Sequence, residues 1–199
     1  MLLSYVELKT IVGMGVISPV PESHVNASSI DVTLGLTLLV EAERAPHAPY
    51  PLRLRDRTPL QHRPHDIGRS PYCLRPGQFV LAHTAELFYM PLNMSAEFRL
   101  KSSAARMGLS HALAVWVDPG WTGSVLTLEL HNISQFHTIE LNAGDRIGQM
   151  IFHRHRAVPK GKAYGARGAY NNDIGPSTSK FAPTIGPVGG ALNVDSEKQ

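Results

Sequence analysis

The chain has 199 residues, 19 Lys and Arg against 16 Asp and Glu, a formal net charge of +3, and 43% hydrophobic residues. That length supports one domain with a substantial core and is short for two. The pI near 9.1 suits an anionic partner, yet 18% charged residues is low for a protein that coats nucleic acid, so a small anionic ligand fits better. The single cysteine, Cys73, excludes an intramolecular disulfide and a multi-cysteine zinc site. No apolar run approaches the ~18 residues of a membrane helix. The start, MLLSYVELKT, lacks a basic region followed by a long apolar stretch, so no membrane partner and a cytoplasmic location are expected.

In chain order, Ser4 and Glu7 form a Ser-x-x-Glu capping box ahead of Val6, Leu8, Ile11 and Val12, with Gly13 and Gly15 behind. This predicts a short helix, one that caps an end of a barrel. From Ile30 to Val40 the pattern is strand, broken at Gly35, and the run LTLLV predicts burial on both faces. Residues 41–75 hold six Pro and seven Arg, which predicts a long surface excursion, either a lid or a subunit contact. After Pro76-Gly77 the segments QFVLAHTAELFYM, AEFRLKSS, LAVWV, SVLTLELHN, HTIEL and RIGQMIF recur at short spacing, the pattern of an all-β sandwich or barrel. Residues 182–199, rich in Gly and Pro, read as a flexible tail or a wrap around a neighbour.

Residues 101–152 concentrate the chemistry. Lys101, Ser102, Ser103 and Arg106 follow a strand and lead into Gly108. Their donors suit phosphate oxygens, and equally an ordinary polar surface turn. Asp118-Pro119-Gly120 is a favourable tight turn in its own right. In Thr127-Leu128-Glu129-Leu130 the alternation puts Thr127 and Glu129 on one face and the leucines on the other. Pattern alone leaves that polar face open to solvent or to a site. His153 and His155 share a face at a strand end, and His62 and His65 lie in the excursion. Neither pair has an evident third ligand, and exposed or interface side chains are the simpler reading.

Together, KSSAARMGL, the A-x-x-x-DPGW turn, TLELHN and GDRIGQMIF resemble the central motifs of the dCTP deaminase family, within the dUTPase-like superfamily. SSIDVTLG, RPGQFVLAHTAE, Tyr164 and GPSTSK extend the likeness in order over most of residues 28–180. The resemblance implies a distorted β-barrel or jelly-roll over residues 1–181, with an N-terminal helix, a C-terminal arm at 160–181 that closes as a lid, and a homotrimer with shared active sites. It implies deamination of dCTP to dUTP and ammonia. Glu129 would then be the catalytic carboxylate beside cytosine C4, with Arg106 and Ser102 completing the catalytic set. The nucleotide would meet Lys101, Ser102, Ser103, Ala104, Ala105, Arg106, the backbone around Ala114, Asp118 at the 3'-hydroxyl, Thr127, Leu128, Glu129, Tyr164 and Arg167. Zinc deaminases need a His/Cys-x-Glu and a Pro-Cys-x-x-Cys element, and this chain has neither. No zinc is expected, and Mg2+ is expected only as the partner of the triphosphate. The expected ligands are dCTP and dUTP, with dTTP a candidate inhibitor.

The chain departs from the family pattern in four places. Ala169 and Asp173 stand where a Lys and a Gln are expected, and Arg167 is the available replacement cation. Thr33 stands where many relatives carry Arg, and one extra residue lies between Asp118 and Glu129, which implies a β-bulge if Glu129 is to keep its face. Two alternatives remain open here: a dUTPase or bifunctional deaminase/dUTPase, and a catalytically silent barrel that senses nucleotides or binds a partner.

Overall fold

The computed structural model describes residues 1–42, 60–114 and 116–180. The Ser4 N–H and hydroxyl both donate to the Glu7 carboxylate, at 3.0 and 3.2 Å, and start helix α1, Tyr5–Gly13. A cap of this kind contributes about 1 kcal/mol. Leu8 and Ile11 are fully buried while Val6 is exposed, so only part of the predicted apolar set faces the core. Ahead of the helix, Leu3 N–H donates to the Phe152 carbonyl at 3.0 Å and ties the N-terminus to a late strand.

After the two-residue strand β1 (Ile17–Ser18), the predicted strand divides at Gly35 into β2 (Ile30–Thr33) and β3 (Thr37–Glu41). The two enter different sheets. Glycine is required between them because a Cβ at Gly35 would stand 2.1 Å from the His83 ring. Burial of β3 on both faces is not found: Leu38 is buried and its neighbours only half-buried. The reason is its position next to the edge strand β4 (His62–Asp66). Pro64 in β4 lies opposite Leu39, and an edge strand tolerates a residue that cannot donate. The predicted excursion therefore has ordered flanks, β4 and β5 (Tyr72–Leu74). Its residues 43–59, like Val115 of the LAVWV segment and the tail from Phe181 onward, lie outside the described residues.

The remaining strands are β6 (Phe79–Tyr89), β7 (Met94–Leu100), β8 (Leu109–His111), β9 (Trp116–Val117), β10 (Thr122–Asn132), β11 (Ile139–Leu141) and β12 (Arg146–Arg154). The order β4-β3-β6-β10-β8, with β1 alongside β6, makes the larger sheet; β2-β12-β7-β9 makes the second, and β5 pairs β11. The fold is thus all-β, as expected, in three sheets rather than one continuous closed barrel. Val80, Phe88 and Leu128 from the larger sheet and Val32, Phe98, Met150 and Phe152 from the second fill one core. Among the described residues no helix is long and apolar enough to cross a membrane.

Between Thr122 and Thr127 the pairing of β10 with β6 is irregular at two places. Thr122 pairs with Tyr89 and Ser124 with Phe88, which leaves Gly123 over, at φ +65°, where a glycine carries no steric penalty. A second irregularity places Thr84, Ala85 and Glu86 against Leu126, whose N–H donates to the Thr84 hydroxyl at 3.0 Å. Regular pairing resumes at Thr127 opposite His83 and Glu129 opposite Leu81. Leu128 and Leu130 are fully buried, so Glu129 keeps the face that the alternation predicts.

Candidate active site

The phosphate-type cluster sits at the end of β7. Leu100 leads into Lys101 and the short helix α2, Ser102–Arg106. Lys101 donates to both oxygens of Asp31 at 2.8 Å, Asn26 donates to the same carboxylate at 2.8 Å, and Arg146 lies 3.6 Å away. Asp31 is almost fully buried. A buried carboxylate needs this set of donors, and the outcome is to pin β2 against the start of α2. Any contact of the Lys101 ammonium with a nucleotide has to compete with Asp31. Ser102, Ser103, Ala105 and Arg106 are exposed and Ala104 half-buried. Among the described residues, no hydrogen bond or ion pair engages the Ser102, Ser103 or Arg106 side chains, and none links them to Glu129.

Glu129 stands on β10, between β6 and the edge strand β8 of the larger sheet. Its carboxylate faces His111 on β8, with Nε2 and Oε2 3.3 Å apart. Burial pushes the Glu129 pKa up, as desolvation disfavours the charged form. Oε2 is closed off from solvent and has no hydrogen-bond partner among the described residues, although the side chain as a whole is 23% exposed. Thr127, two residues back on the same face, accepts the Ser177 N–H on Oγ1 at 3.2 Å. Ala114 lies in the exposed turn after β8, preceded by Leu113 at φ +63°.

Asp118 is exposed and accepts the Trp116 indole N–H at 3.1 Å. The turn it opens receives the C-terminal arm: Tyr164 N–H donates to the Pro119 carbonyl at 2.9 Å, beginning α3, Tyr164–Arg167. The Tyr164 hydroxyl accepts the Tyr170 N–H at 3.3 Å, and burial raises its pKa. Further along, Ser124 Oγ donates to the Tyr170 carbonyl at 3.0 Å and Asp173 N–H donates to Ser124 Oγ at 3.2 Å. The arm therefore runs from the DPG turn at Tyr164 to Thr127 at Ser177 within one chain. Arg167 is exposed at the end of α3.

Asp173, which stands where the family pattern has Gln, is held by Lys180, whose ammonium donates to its two oxygens at 2.5 and 2.6 Å and to the Ala169 carbonyl at 3.4 Å. Ser177 Oγ donates to the same carboxylate at 3.1 Å. Thr33 likewise has its own arrangement: its N–H and hydroxyl donate to Glu86 at 3.0 and 2.8 Å. Glu86 is buried, and burial raises its pKa.

The two residues that sequence reasoning missed are His111 and Lys180. Lys180 was visible in GPSTSK, but its return to Asp173 depends on the arm's path. His111 follows GLS without any motif signal of its own. Among the described residues the other histidines gather no metal site. His153 stacks on Trp116 with ring centroids 6.2 Å apart, while His155 Nε2 meets Ser95 Oγ at 3.0 Å. His65 packs edge-on to Tyr72. Among the described residues no three His, Cys, Asp or Glu side chains cluster for a metal, and Cys73 is exposed.

The family described as dCTP deaminase-like matches residues 2–155. Over 174 residues the chain is 37% identical to "dCTP deaminase, dUMP-forming" of Acidothermus cellulolyticus, covering 84% of this chain and 87% of that protein. It is 36% identical over 187 residues to the protein of the same name from Mycobacterium bovis, covering 90% and 95%. Among solved structures, that of 2'-deoxycytidine 5'-triphosphate deaminase from Agrobacterium tumefaciens superposes with a TM-score of 0.60 at 20% identity; it covers 79% of this chain, which spans about half (49%) of that one. That likeness concerns the fold. On the match over most of its length and the identity to full-length relatives, this chain belongs to the dCTP deaminase-like family.

Proposed function

We propose that this protein deaminates dCTP and carries the product on to dUMP, dCTP plus two waters giving dUMP, pyrophosphate and ammonia. The observation that carries the deamination step is Glu129: a half-buried carboxylate of raised pKa on a rigid central strand, one oxygen sealed in the wall. Such a group suits general base and acid work near neutral pH. Glu129 takes a proton from water as the water oxygen bonds to C4, and returns protons to the amine as the C4–N bond breaks and ammonia leaves. A second water then displaces pyrophosphate from the α-phosphorus of bound dUTP. The relatives' name, dUMP-forming, favours this second step over the expectation that the reaction stops at dUTP.

Asp118 is the acceptor for the 3'-hydroxyl, and the backbone at Ala114 and Leu128 faces the base. Ser102, Ser103 and Arg106 hold the phosphates, with Mg2+ entering on the triphosphate. In one chain the α2 cluster is open and makes no bond to Glu129, which supports a homotrimer whose sites take α2 from one copy and Glu129 from another. Exposed Leu113, Trp116, Ile133 and Phe136 supply apolar surface for such contacts. The arm from Lys160 to Lys180 is the lid, and dTTP is a candidate inhibitor through the same pocket.

Incubating the protein with dCTP and, separately, dUTP, with Mg2+, and resolving the products tests all of this. Formation of dUMP, pyrophosphate and ammonia from dCTP is expected. Accumulation of dUTP returns the reading to a simple deaminase, and no turnover of either nucleotide leaves the silent barrel.

A further inference from the structure

Strand β9 is only two residues long, yet its alternation carries on into the DPG turn. Val117 is buried, while Trp116 and Asp118 on either side of it are exposed and share the outer face at the edge of the second sheet. There the Trp116 indole N–H donates to Asp118 Oδ1 at 3.1 Å. An indole nitrogen is a donor only, so the contact has one polarity. Among the described residues no other hydrogen bond or ion pair engages the Asp118 side chain. The indole is itself set by the sheet: Trp116 lies opposite Glu97 on β7, and its ring stacks on that of His153 on β12, with centroids 6.2 Å apart and planes 26° from parallel. The Asp118 backbone is held separately, because its carbonyl accepts the Trp121 N–H at 3.3 Å and closes the turn, where Gly120 stands at φ +81°.

We propose that Trp116 is the positioning residue of Asp118: its indole N–H holds Oδ1 and leaves Oδ2 for the 3'-hydroxyl of the nucleotide, which makes the chain selective for a sugar that carries this hydroxyl. An exposed carboxylate without such a donor turns about a broad χ2 torsion, and the ligand then bears the cost of ordering it. A donor already in place moves that cost to folding. The device acts at the sugar, on a different strand from Glu129. Trp116 as a whole is 57% exposed, so the apolar surface it lends to a second copy and the N–H it gives Asp118 are compatible uses of one ring.

This inference rests on the reading of Asp118 as the acceptor of the 3'-hydroxyl, and its test separates the two. Calorimetry in the Glu129→Gln background compares the binding of dCTP with that of 2',3'-dideoxycytidine triphosphate, which lacks the hydroxyl. The analogue is expected to bind ~10- to 100-fold more weakly, the loss of one hydrogen bond to a charged group. Adding Trp116→Phe, which keeps an aromatic ring beside His153 and removes the N–H, is expected to cut that ratio ~3- to 10-fold by weakening dCTP, with the analogue within about twofold. Asp118→Ala is expected to bind both nucleotides alike, and Trp116→Phe to change nothing further in its presence. A purely structural or interface role would weaken both nucleotides equally, so an unchanged ratio in Trp116→Phe overturns the proposal alone. A parent protein that binds both alike overturns the Asp118 reading, and the selectivity with it. The hydrogen bond is read without nucleotide. The chain has two Trp, and the Trp116 indole resonance in 15N NMR is assigned by its loss in Trp116→Phe. Asp118→Ala is expected to move it upfield and to leave that of Trp121, whose N–H donates to the Tyr170 carbonyl, near its place. A Trp116 resonance indifferent to Asp118→Ala also overturns the proposal. If Trp116→Phe does not fold or assemble, Trp116→Met, apolar and without a donor, carries the same comparison.

Discussion

Glu129 and Arg106 belong, by resemblance, to one site, and the chain treats them in opposite ways. Glu129 stands on an eleven-residue strand flanked by β6 and β8, with one oxygen sealed and a histidine against it. Arg106 ends a five-residue helix, exposed to solvent. The difference suits the roles proposed for the two groups. A proton-transfer carboxylate needs a pKa raised by enclosure, which a single chain builds from its own sheet. A guanidinium is always charged and needs no enclosure to be so, which lets Arg106 remain open at the end of a short helix.

The largest effect expected of any substitution tests the enclosed side. Glu129→Gln should keep the fold and nucleotide binding and lose deamination by ~10²- to 10⁴-fold; steady-state kinetics beside equilibrium dialysis with dCTP measure both, and near-wild-type turnover removes the catalytic assignment. On the open side, Arg106→Ala should abolish activity while leaving the melting temperature close to wild type, since among the described residues its side chain has no partner to lose. Ser102→Ala should cost only ~0.5 to 1.5 kcal/mol in transition-state binding. If equal and negligible losses follow from both, α2 is not part of the site. Mixing the Glu129→Gln and Arg106→Ala proteins after dissociation should recover measurable activity if the halves come from different copies. A mixture as dead as its parents would return both halves to one chain.

A smaller effect is expected in the arm. Arg167→Ala should raise KM for dCTP more than for dCMP. The ceiling is ~1.5 to 3 kcal/mol for a charged hydrogen bond, reduced toward the surface-pair value because Arg167 is exposed. Added salt should weaken the wild type more than the variant. Unchanged dCTP kinetics would leave the cation role to another residue, with Lys180 the next to substitute.

The smallest expected effect is on stability. The unfolded chain protonates His111 near 6.5, whereas the folded protein refuses that proton down to about 4. The unfolded state therefore binds more protons in this window, and stability falls as pH drops through it. Buried His83 has the same sign, while Glu86 and Glu129, with raised pKa values, act oppositely. The wild-type profile mixes these, so the informative quantity is its difference from His111→Phe. The melting temperature of that variant should decline less between pH 7 and pH 5, and an equal decline would mean that the ring is protonated in place.

The strands and the face of Glu129 were legible because period-two alternation is a local property. TLEL needs no tertiary information to put glutamate opposite two core leucines. A bulge was expected from a count alone; where β10 leaves regular pairing, at Gly123 and again at Leu126, was not legible, because only the register with β6 marks it. Strand β8 escaped detection because three residues make no pattern. The partners of Asp173 and Lys101 were hidden for another reason: each ion pair closes through space, over seven residues in one case and seventy in the other, and no sequence window reports it. Misreading LTLLV as doubly buried has a similar origin, since its edge neighbour β4 emerges from a segment whose composition announces surface.

Gly123 works as a joint between two parts of the chain whose registers are thereby independent. A residue gained there leaves the ladder, and everything downstream stays in phase. The same gain between Thr127 and Glu129 would exchange core and site side chains at every later position of the strand. Distance from the DPG turn to Glu129 can thus change at one place without turning that side chain to the other face. The carboxylate is identified correctly only by counting backward from the HN end of β10, where the pairing with β6 and β8 is unbroken.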